Sequence, residues 1–291
     1  MKKAAEPALS ISLACEALEV SRSGFYAWQQ RQQAGEVSRR RRRREELTRQ
    51  VRRIHRGCHR RYGAPRVTAE LRAKGWRVSE NTVAAIMRAE GLEGRSGRRK
   101  TPKTTQPART AVWVDDLVRR RFTVSEIDRV YCTDITYVPT RQGWLYVAVI
   151  LDAASRSVTG WAAREHLRAS LPLEALRMAL GARRPAPGLI VHSDRGSQFT
   201  SQAWLDALAE AGARPSMGRV GWCWDNAMAE SWFAGYKNEL VIPAGTYPTL
   251  EAAKLETYRY IRWHNTQRRH SALGYLAPHD YEHARTLTNA A

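Results

Sequence analysis

Val130-Tyr131-Cys132-Thr133-Asp134-Ile135-Thr136-Tyr137-Val138, then Gly143-Trp144-Leu145-Tyr146-Val147-Ala148-Val149-Ile150-Leu151-Asp152, then residues 156–163 form three β-rich stretches. The joints between them, Thr140-Arg141-Gln142 and Ala153-Ala154-Ser155, are short. β-Branched and aromatic runs with such joints predict three consecutive antiparallel strands. Downstream, apolar periodicity predicts a helix over 173–182, a short buried strand over 189–192, a helix over 201–211 and a long helix from Asp225 to about Leu240. Strands and helices in this order predict an α/β fold, a mixed sheet with helices packed on it. No repeat of solenoid period is visible.

Upstream the grammar changes. Residues 94–110 are rich in Gly, Arg, Lys, Thr and Pro and read as a linker. Before it, residues 11–33 give helical spacing at Leu13, Ala14, Ala17 and Leu18, a turn at Val20-Ser21-Arg22-Ser23, and a second helix through Phe25, Tyr26 and Trp28. A similar pattern follows: a helix from about Arg43 to His55, a break at Tyr62-Gly63-Ala64-Pro65, a helix to Ala73, the turn Lys74-Gly75-Trp76, and a helix capped by Ser79 and stopped by Gly91. Each pair reads as a small helix-turn-helix module, the common scaffold for laying a helix in the major groove, or as a plain helical bundle. The chain thus divides into an N-terminal helix-turn-helix-like segment (1–36), a basic helical module (37–93), a basic linker (94–122), a catalytic core (123–242) and a C-terminal helical extension (243–291).

Charge singles out the front of the chain. Of 48 Lys and Arg, 27 fall in residues 1–110, against 10 of the 28 Asp and Glu; the rest is nearly balanced. A formal charge of +20 points to a polyanionic partner. Arg39, Arg40, Arg41, Arg42, Arg43 and Arg44 form an unbroken run that can neutralise phosphates and release counterions, or stand as a solvated basic linker. At 291 residues and 43% hydrophobic content the chain can fill a core. Its four cysteines include no C-x-x-C pair, which argues against a disulfide scaffold or a Cys-based zinc ribbon. Apolar runs such as 146–151 are too short for a bilayer span, and residues 1–10 lack a signal-peptide core, so a cytoplasmic protein is expected.

Three acidic residues stand where chemistry explains them better than folding. Asp134 interrupts an apolar strand, where a charge is costly unless compensated. Asp194 follows the apolar Leu189-Ile190-Val191 at a strand's carboxyl end, where ligand sites form. Glu230 lies on the long helix with Asn226 and Lys237 near its face, four residues before it and seven after. Singly, Asp194 reads as a turn residue and Glu230 as an exposed helix glutamate. Together, with no Ser-His or Cys-His nucleophile beside them, converging carboxylates suit hard divalent cations. Two such ions can activate a water or a 3′-hydroxyl for in-line attack at phosphorus.

The motifs Thr133-Asp134-Ile135-Thr136-Tyr137, Gly143-Trp144-Leu145-Tyr146, His192-Ser193-Asp194-Arg195-Gly196-Ser197-Gln198-Phe199 and Trp224-Asp225-Asn226 through Ala229-Glu230-Ser231 resemble the integrase-like core of OrfB-type transposases of the IS-three insertion-sequence family. Thirty-five residues separate Asp194 from Glu230, the spacing of that family, and Lys237 matches its basic residue. Tyr260-Ile261-Arg262-Trp263-His264-Asn265 and Arg268-Arg269-His270-Ser271-Ala272-Leu273 resemble its C-terminal signature. The resemblance implies an RNase H-like five-stranded mixed sheet flanked by helices, in which Asp134, Asp194 and Glu230 hold two Mg²⁺ ions, with Mn²⁺ as a substitute. It implies DNA 3′-end cleavage and strand transfer, with Lys237 and Asn226 against the terminal nucleotides. The partners it implies are element and target DNA, further copies of the chain, and an upstream-frame helix-turn-helix and leucine-zipper protein joined by frameshifting. Two departures are Tyr131, where relatives carry Trp, and the lack of the zinc-binding domain of retroviral integrases. His55, Cys58 and His59 have no second Cys pair and read as helix-surface residues.

Two other functions fit parts of the sequence. A hydrolysis-only nuclease of the same fold would give no joined product from a pre-cut end. A non-catalytic DNA-binding regulator would show no metal-dependent cleavage.

Overall fold

The computed structural model describes residues 10–33, 38–95, 114–218 and 223–290. Most of the expected linker and the tip of the N-terminus lie outside the described residues. Two helices, α1 (Ile11–Ala17) and α2 (Arg22–Gln33), form the first pair, with Ser10 capping α1 and the Ser21 hydroxyl accepting from the Gly24 N–H.

The second helical group is α3 (Arg39–Gly57), α4 (Ala64–Ala73) and α5 (Glu80–Ala89). α3 begins four residues earlier than its apolar pattern predicts. The Ser38 hydroxyl accepts from the Arg41 N–H at 3.2 Å, which starts the helix, and the whole arginine run becomes its exposed first turns. Like charges at a helix N-terminus oppose its dipole. Glu45 offsets part of this through a 3.0 Å pair with Arg41. The group's core is Leu47, Val51 and Ile54 of α3 against Val67 and Leu71 of α4 and Val83, Ile86 and Met87 of α5. His55 and Cys58 belong to this interior rather than the surface: His55 Nε2 lies 3.0 Å from the Glu93 carbonyl, and only His59 of the three is exposed.

The sheet holds β1 (Val130–Thr140), β2 (Gly143–Asp152), β3 (Val158–Arg164), β4 (Ile190–Ser193) and β5 (Arg214–Met217) in the order β3-β2-β1-β4-β5. β1, β2 and β3 are antiparallel neighbours, while β4 runs parallel to β1 and β5 parallel to β4. This is the expected RNase H-like sheet. β5 is the fifth strand that the resemblance implies, although the residue pattern alone does not locate it; Pro215 is tolerated there because β5 is an edge.

One face is covered by α6 (Ser170–Arg183) and α7 (Gln202–Glu210), which bury Leu171, Leu176, Trp204 and Leu208 against Tyr131, Ile150 and Val191. α6 lies so close to β3 that a Cβ at Gly160 would stand 2.2 Å from the Ala175 carbonyl oxygen. The other face carries α8 (Ala227–Tyr236) and α10 (Leu250–Thr266), whose core is continuous with that of the α3–α5 group, while the short α9 (Ile242–Ala244) between them buries no residue. α11 (Pro278–Ala290) is tied back by a two-bond pair of Arg183 with Glu282 at 2.7 and 2.9 Å. Among the described residues no helix is long and apolar enough to cross a membrane.

The long helix expected from Asp225 to Leu240 is instead three successive forms. A 3₁₀ turn at Cys223–Asn226 leads into α8, and a π-helical turn at Lys237–Val241 follows it. Such π turns are rare and cluster at functional sites.

Candidate active site

β1 and β4 run side by side only as far as the register pair Cys132–His192. Asp134 and Asp194 each stand two residues beyond it, Asp134 within β1 and Asp194 just past the carboxyl end of the parallel β4. There β4 gives way to a loop while β1 continues, and the uncovered edge opens a cavity of about 570 Å³ lined by both carboxylates. Crevices of this kind are where open α/β sheets place their ligands.

The loop holds Asp194 by local bonds. Gly196 N–H donates to Asp194 Oδ1 at 3.0 Å, and a Cβ on Gly196 would press on that same oxygen at 3.0 Å. The neighbouring Arg195 turns away, donating to the Gly218 and Val114 carbonyls at 2.8 Å each.

Two hydrogen bonds set the start of α8 relative to both strands. His192 Nε2 donates to the Asp225 carbonyl at 2.7 Å, and Asn226 Nδ2 donates to the Thr133 carbonyl at 3.1 Å. His192 is fully buried and its Nδ1 accepts from the Ser216 hydroxyl at 2.8 Å, which fixes the tautomer. One turn after Asn226, Glu230 emerges exposed on α8. Asn226, placed at the DNA by the resemblance, is 5% exposed and its amide is engaged with β1. Trp232 and Tyr236 pack beneath α8 in stacked contact, ring centroids 5.4 Å apart.

The carboxylates sense one another. Burial chiefly pushes Asp134 up to about 8; the Asp194 and Glu230 charges add to this, while the Ile135 N–H at 2.7 Å and Lys237 oppose it. Burial likewise raises Asp194, and burial followed by the Asp194 charge raises Glu230. Lys237 is lowered by its own burial, partly offset by Asp134. Its ammonium lies 5.0 Å from the centre of the Tyr137 ring. The donor set is all oxygen and short of positive charge, the chemistry a hard divalent ion suits. Among the described residues, no three His, Cys, Asp or Glu side chains stand close enough to hold one ion. Asp134 and Asp194 share the cavity wall, whereas Glu230 does not line it.

A second cavity of about 450 Å³ lies on the basic module, lined by Arg43, Lys74, Gly75, Trp76 and Arg77. Arg43 Nη2 donates to the Arg77 carbonyl at 3.1 Å, joining α3 to the α4–α5 connection. Lys74 and Arg77 were not singled out from sequence, although their turn was.

Integrase core domain models match residues 124–223 and 211–278, and an HTH-like domain model matches residues 32–100. The chain is 37% identical over 274 residues to the transposase InsF for insertion sequence IS3A of Escherichia coli (strain K12), covering 94% of each. It is 36% identical over 271 residues to the transposase for insertion sequence element IS629 of Shigella sonnei, covering 93% of this chain and 90% of that one. Among solved structures, the HTLV-2 integrase catalytic core domain in complex with magnesium matches with a TM-score of 0.40 and 13% identity, over 50% of this chain and 92% of that one. Sequence identity over nearly its whole length, with an integrase core behind an HTH-like domain, places the chain in the family of insertion-sequence transposases of the IS3 type, enzymes of the DDE transposase class.

Proposed function

We propose that Asp134, Asp194 and Glu230 are the catalytic carboxylates of DNA 3′-end cleavage and strand transfer, and that they hold two Mg²⁺ ions. The observation that carries this is the placement of Asp134 and Asp194, each two residues past the last β1–β4 pair, with α8 pinned to both strands at Thr133 and at His192. When bound, the ions would lower the cost of forming a nucleophilic oxygen and stabilise the departing one. In cleavage, a water oxygen bonds to phosphorus as the phosphorus–O3′ bond breaks, and the leaving O3′ takes a proton to become the free 3′-hydroxyl. In strand transfer that hydroxyl attacks a target phosphorus and displaces the target's own O3′.

The chain's residues do the positioning. The Ile135 and Gly196 amides hold one oxygen each of Asp134 and Asp194, and Asn226 and His192 fix the distance of the Glu230 helix from both strands. Lys237, beside Asp134, engages a phosphate of the terminal nucleotides. Arg39 to Arg44, exposed on α3, and the neighbouring cleft of Lys74 and Arg77 engage the DNA backbone, which positions the duplex without reading its sequence. The helical segments 1–36 and 37–93 serve as the DNA-holding part, joined through the 94–122 linker to the 123–242 core and its 243–291 extension. The active form is at least a dimer, because two element ends meet, and is completed by the upstream-frame helix-turn-helix and leucine-zipper protein. The reaction takes place in the cytoplasm, on the DNA.

The deciding experiment uses Asp134→Asn with a pre-cut element end and target DNA in Mg²⁺. Loss of both cleavage and joining with DNA affinity unchanged is expected. Normal turnover by the variant removes Asp134 from the site and the proposal with it.

A further inference from the structure

The Gly143-Trp144-Leu145-Tyr146 motif has no role in holding ions, yet its tryptophan is placed like a functional group. Leu145, Val147, Ala148, Val149 and Ile150 along the same strand are buried, whereas Trp144 is 50% exposed. It stands at the start of β2 and lines the cavity that contains Asp134 and Asp194. Burial of an indole normally stabilises a fold, so its exposure beside a cavity needs a reason other than packing.

The indole is not loosely placed. It meets the Tyr137 ring edge to face, with centroids 5.0 Å apart and planes at 84°. The same Tyr137 ring lies 5.0 Å from the Lys237 ammonium. Lys237, Tyr137 and Trp144 thus form a row from the turn after α8 to the β1–β2 hairpin, and its two aromatic members line the cavity that holds the two aspartates. The row offers one cation and then aromatic faces. A phosphodiester brought to carboxylates needs local positive charge, and an unpaired base beside it needs a flat apolar surface. Every nucleobase has a face that stacks on an aromatic ring, whatever its identity.

We propose that Trp144, braced by Tyr137, is a stacking platform for an unpaired nucleobase at the DNA end, next to the phosphodiester that reacts, with Lys237 on that nucleotide's phosphate. The inference rests on the reading of Asp134, Asp194 and Glu230 as the reaction centre. Trp144 determines how a frayed end is held; the carboxylates determine whether it reacts.

The test uses the full chain in EDTA, so that binding is read without cleavage. The probe is an element-end duplex whose unpaired 3′ end carries 2-aminopurine, alongside the fully paired duplex of the same sequence. On the wild type the 2-aminopurine fluorescence is quenched by stacking. Trp144→Ala removes the quench and weakens binding of the unpaired end about tenfold, with the fully paired duplex bound as before. Trp144→Phe keeps a ring at this exposed position and retains most of the quench. An unchanged quench in Trp144→Ala, or no quench with the wild type, overturns the platform. Asp134→Asn separates this proposal from the one beneath it: the variant keeps the quench in EDTA and loses cleavage in Mg²⁺. If it still cleaves, the assignment of the carboxylates fails, while the platform is judged on the quench alone.

Discussion

Glu239 and Arg268 form a two-bond ion pair inside the protein, Nη2 to Oε1 at 2.6 Å and Nε to Oε2 at 2.9 Å. Both residues are buried. Arg66 of α4 adds a bond to Oε1 at 3.2 Å and the Tyr260 hydroxyl of α10 one to Oε2 at 3.0 Å. The Glu239 carbonyl accepts from Arg61 at 3.3 Å and from Arg95 at 3.1 Å. Burial alone would raise the Glu239 carboxyl; the Arg268 bonds and charge, with Arg66, outweigh it and hold the group below its ordinary value. Glu239 sits in the π turn two residues after Lys237. The basic module, through Arg66, and α10 with the segment after it, through Tyr260 and Arg268, therefore meet at one carboxylate two residues from Lys237.

Glu239→Gln should destabilise the chain by about 3–5 kcal/mol, because it leaves the Arg268 and Arg66 guanidinia buried without a counter-charge. Urea unfolding measures this. A loss below about 1 kcal/mol would mean that the network contributes geometry and little stability. Pairing the change with Arg268→Met should restore much of the loss, since the double variant buries no uncompensated charge at that pair.

Asn226→Ala should lower cleavage by about 10- to 100-fold with little change in DNA affinity, because its amide donates to the Thr133 carbonyl and so sets α8 against β1. Gel-shift titration and single-turnover cleavage on the same DNA read the two quantities separately. A variant that binds DNA weakly yet cleaves bound DNA at the normal rate would return Asn226 to the DNA surface.

The sequence made the first three strands legible because β2 and β3 follow β1 across short joints, so local patterning and tertiary pairing agree. Asp134 and Asp194 were visible for a related reason: a carboxylate inside or just after an apolar strand is out of place unless it has work to do. β5 was not visible, since Arg214-Pro215-Ser216-Met217 has neither the length nor the alternation of a strand and depends on β4 for its pairing. The N-terminal turns of α3 were missed because a like-charged run argues against helix until Ser38 caps it. Glu239 looks like any helix glutamate: its partners Arg268 and Arg66 lie 29 and 173 residues away, and only the folded chain brings them together. The role of Trp144 was hidden for the converse reason, its motif being visible while its exposure was not.

Lys237→Ala should reduce the salt dependence of DNA-end binding by about 0.9 in the slope of log affinity against log salt, the value for one phosphate contact. Lys237→Arg keeps the charge over Tyr137 and should keep the slope. Binding measured across a salt series decides it. An unchanged slope in the alanine variant would leave Lys237 acting on Asp134 alone.

Acid should destabilise the chain through His264 and His270 before most carboxylates respond. The two rings meet edge to face with centroids 4.7 Å apart, and His264 Nε2 lies 2.9 Å from the Arg156 carbonyl oxygen and 3.3 Å from the Trp232 indole nitrogen. Trp232 and Tyr260 also pack on His264, and the Arg268 guanidinium lies 3.2 Å from His270 Nε2. Burial, then the Arg268 charge, lowers His264 to about 3; burial, then His264 and Arg268, depresses His270 further. Unfolded, each would titrate near its ordinary value of about 6.5. Below that pH the unfolded chain binds protons that the folded chain refuses, so stability is fully present above about 6.5 and falls as the pH drops toward 3. Glu239 loses stability in the same direction but at lower pH, as its depressed carboxyl is protonated. Asp134, raised to about 8, works the other way, with stability falling as the pH rises toward 8. Thermal unfolding should therefore show a midpoint decline beginning between pH 6.5 and 6, well before the carboxylate range. His270→Gln should flatten that decline, and an unchanged pH profile in this variant would assign the acid loss to the carboxylates instead.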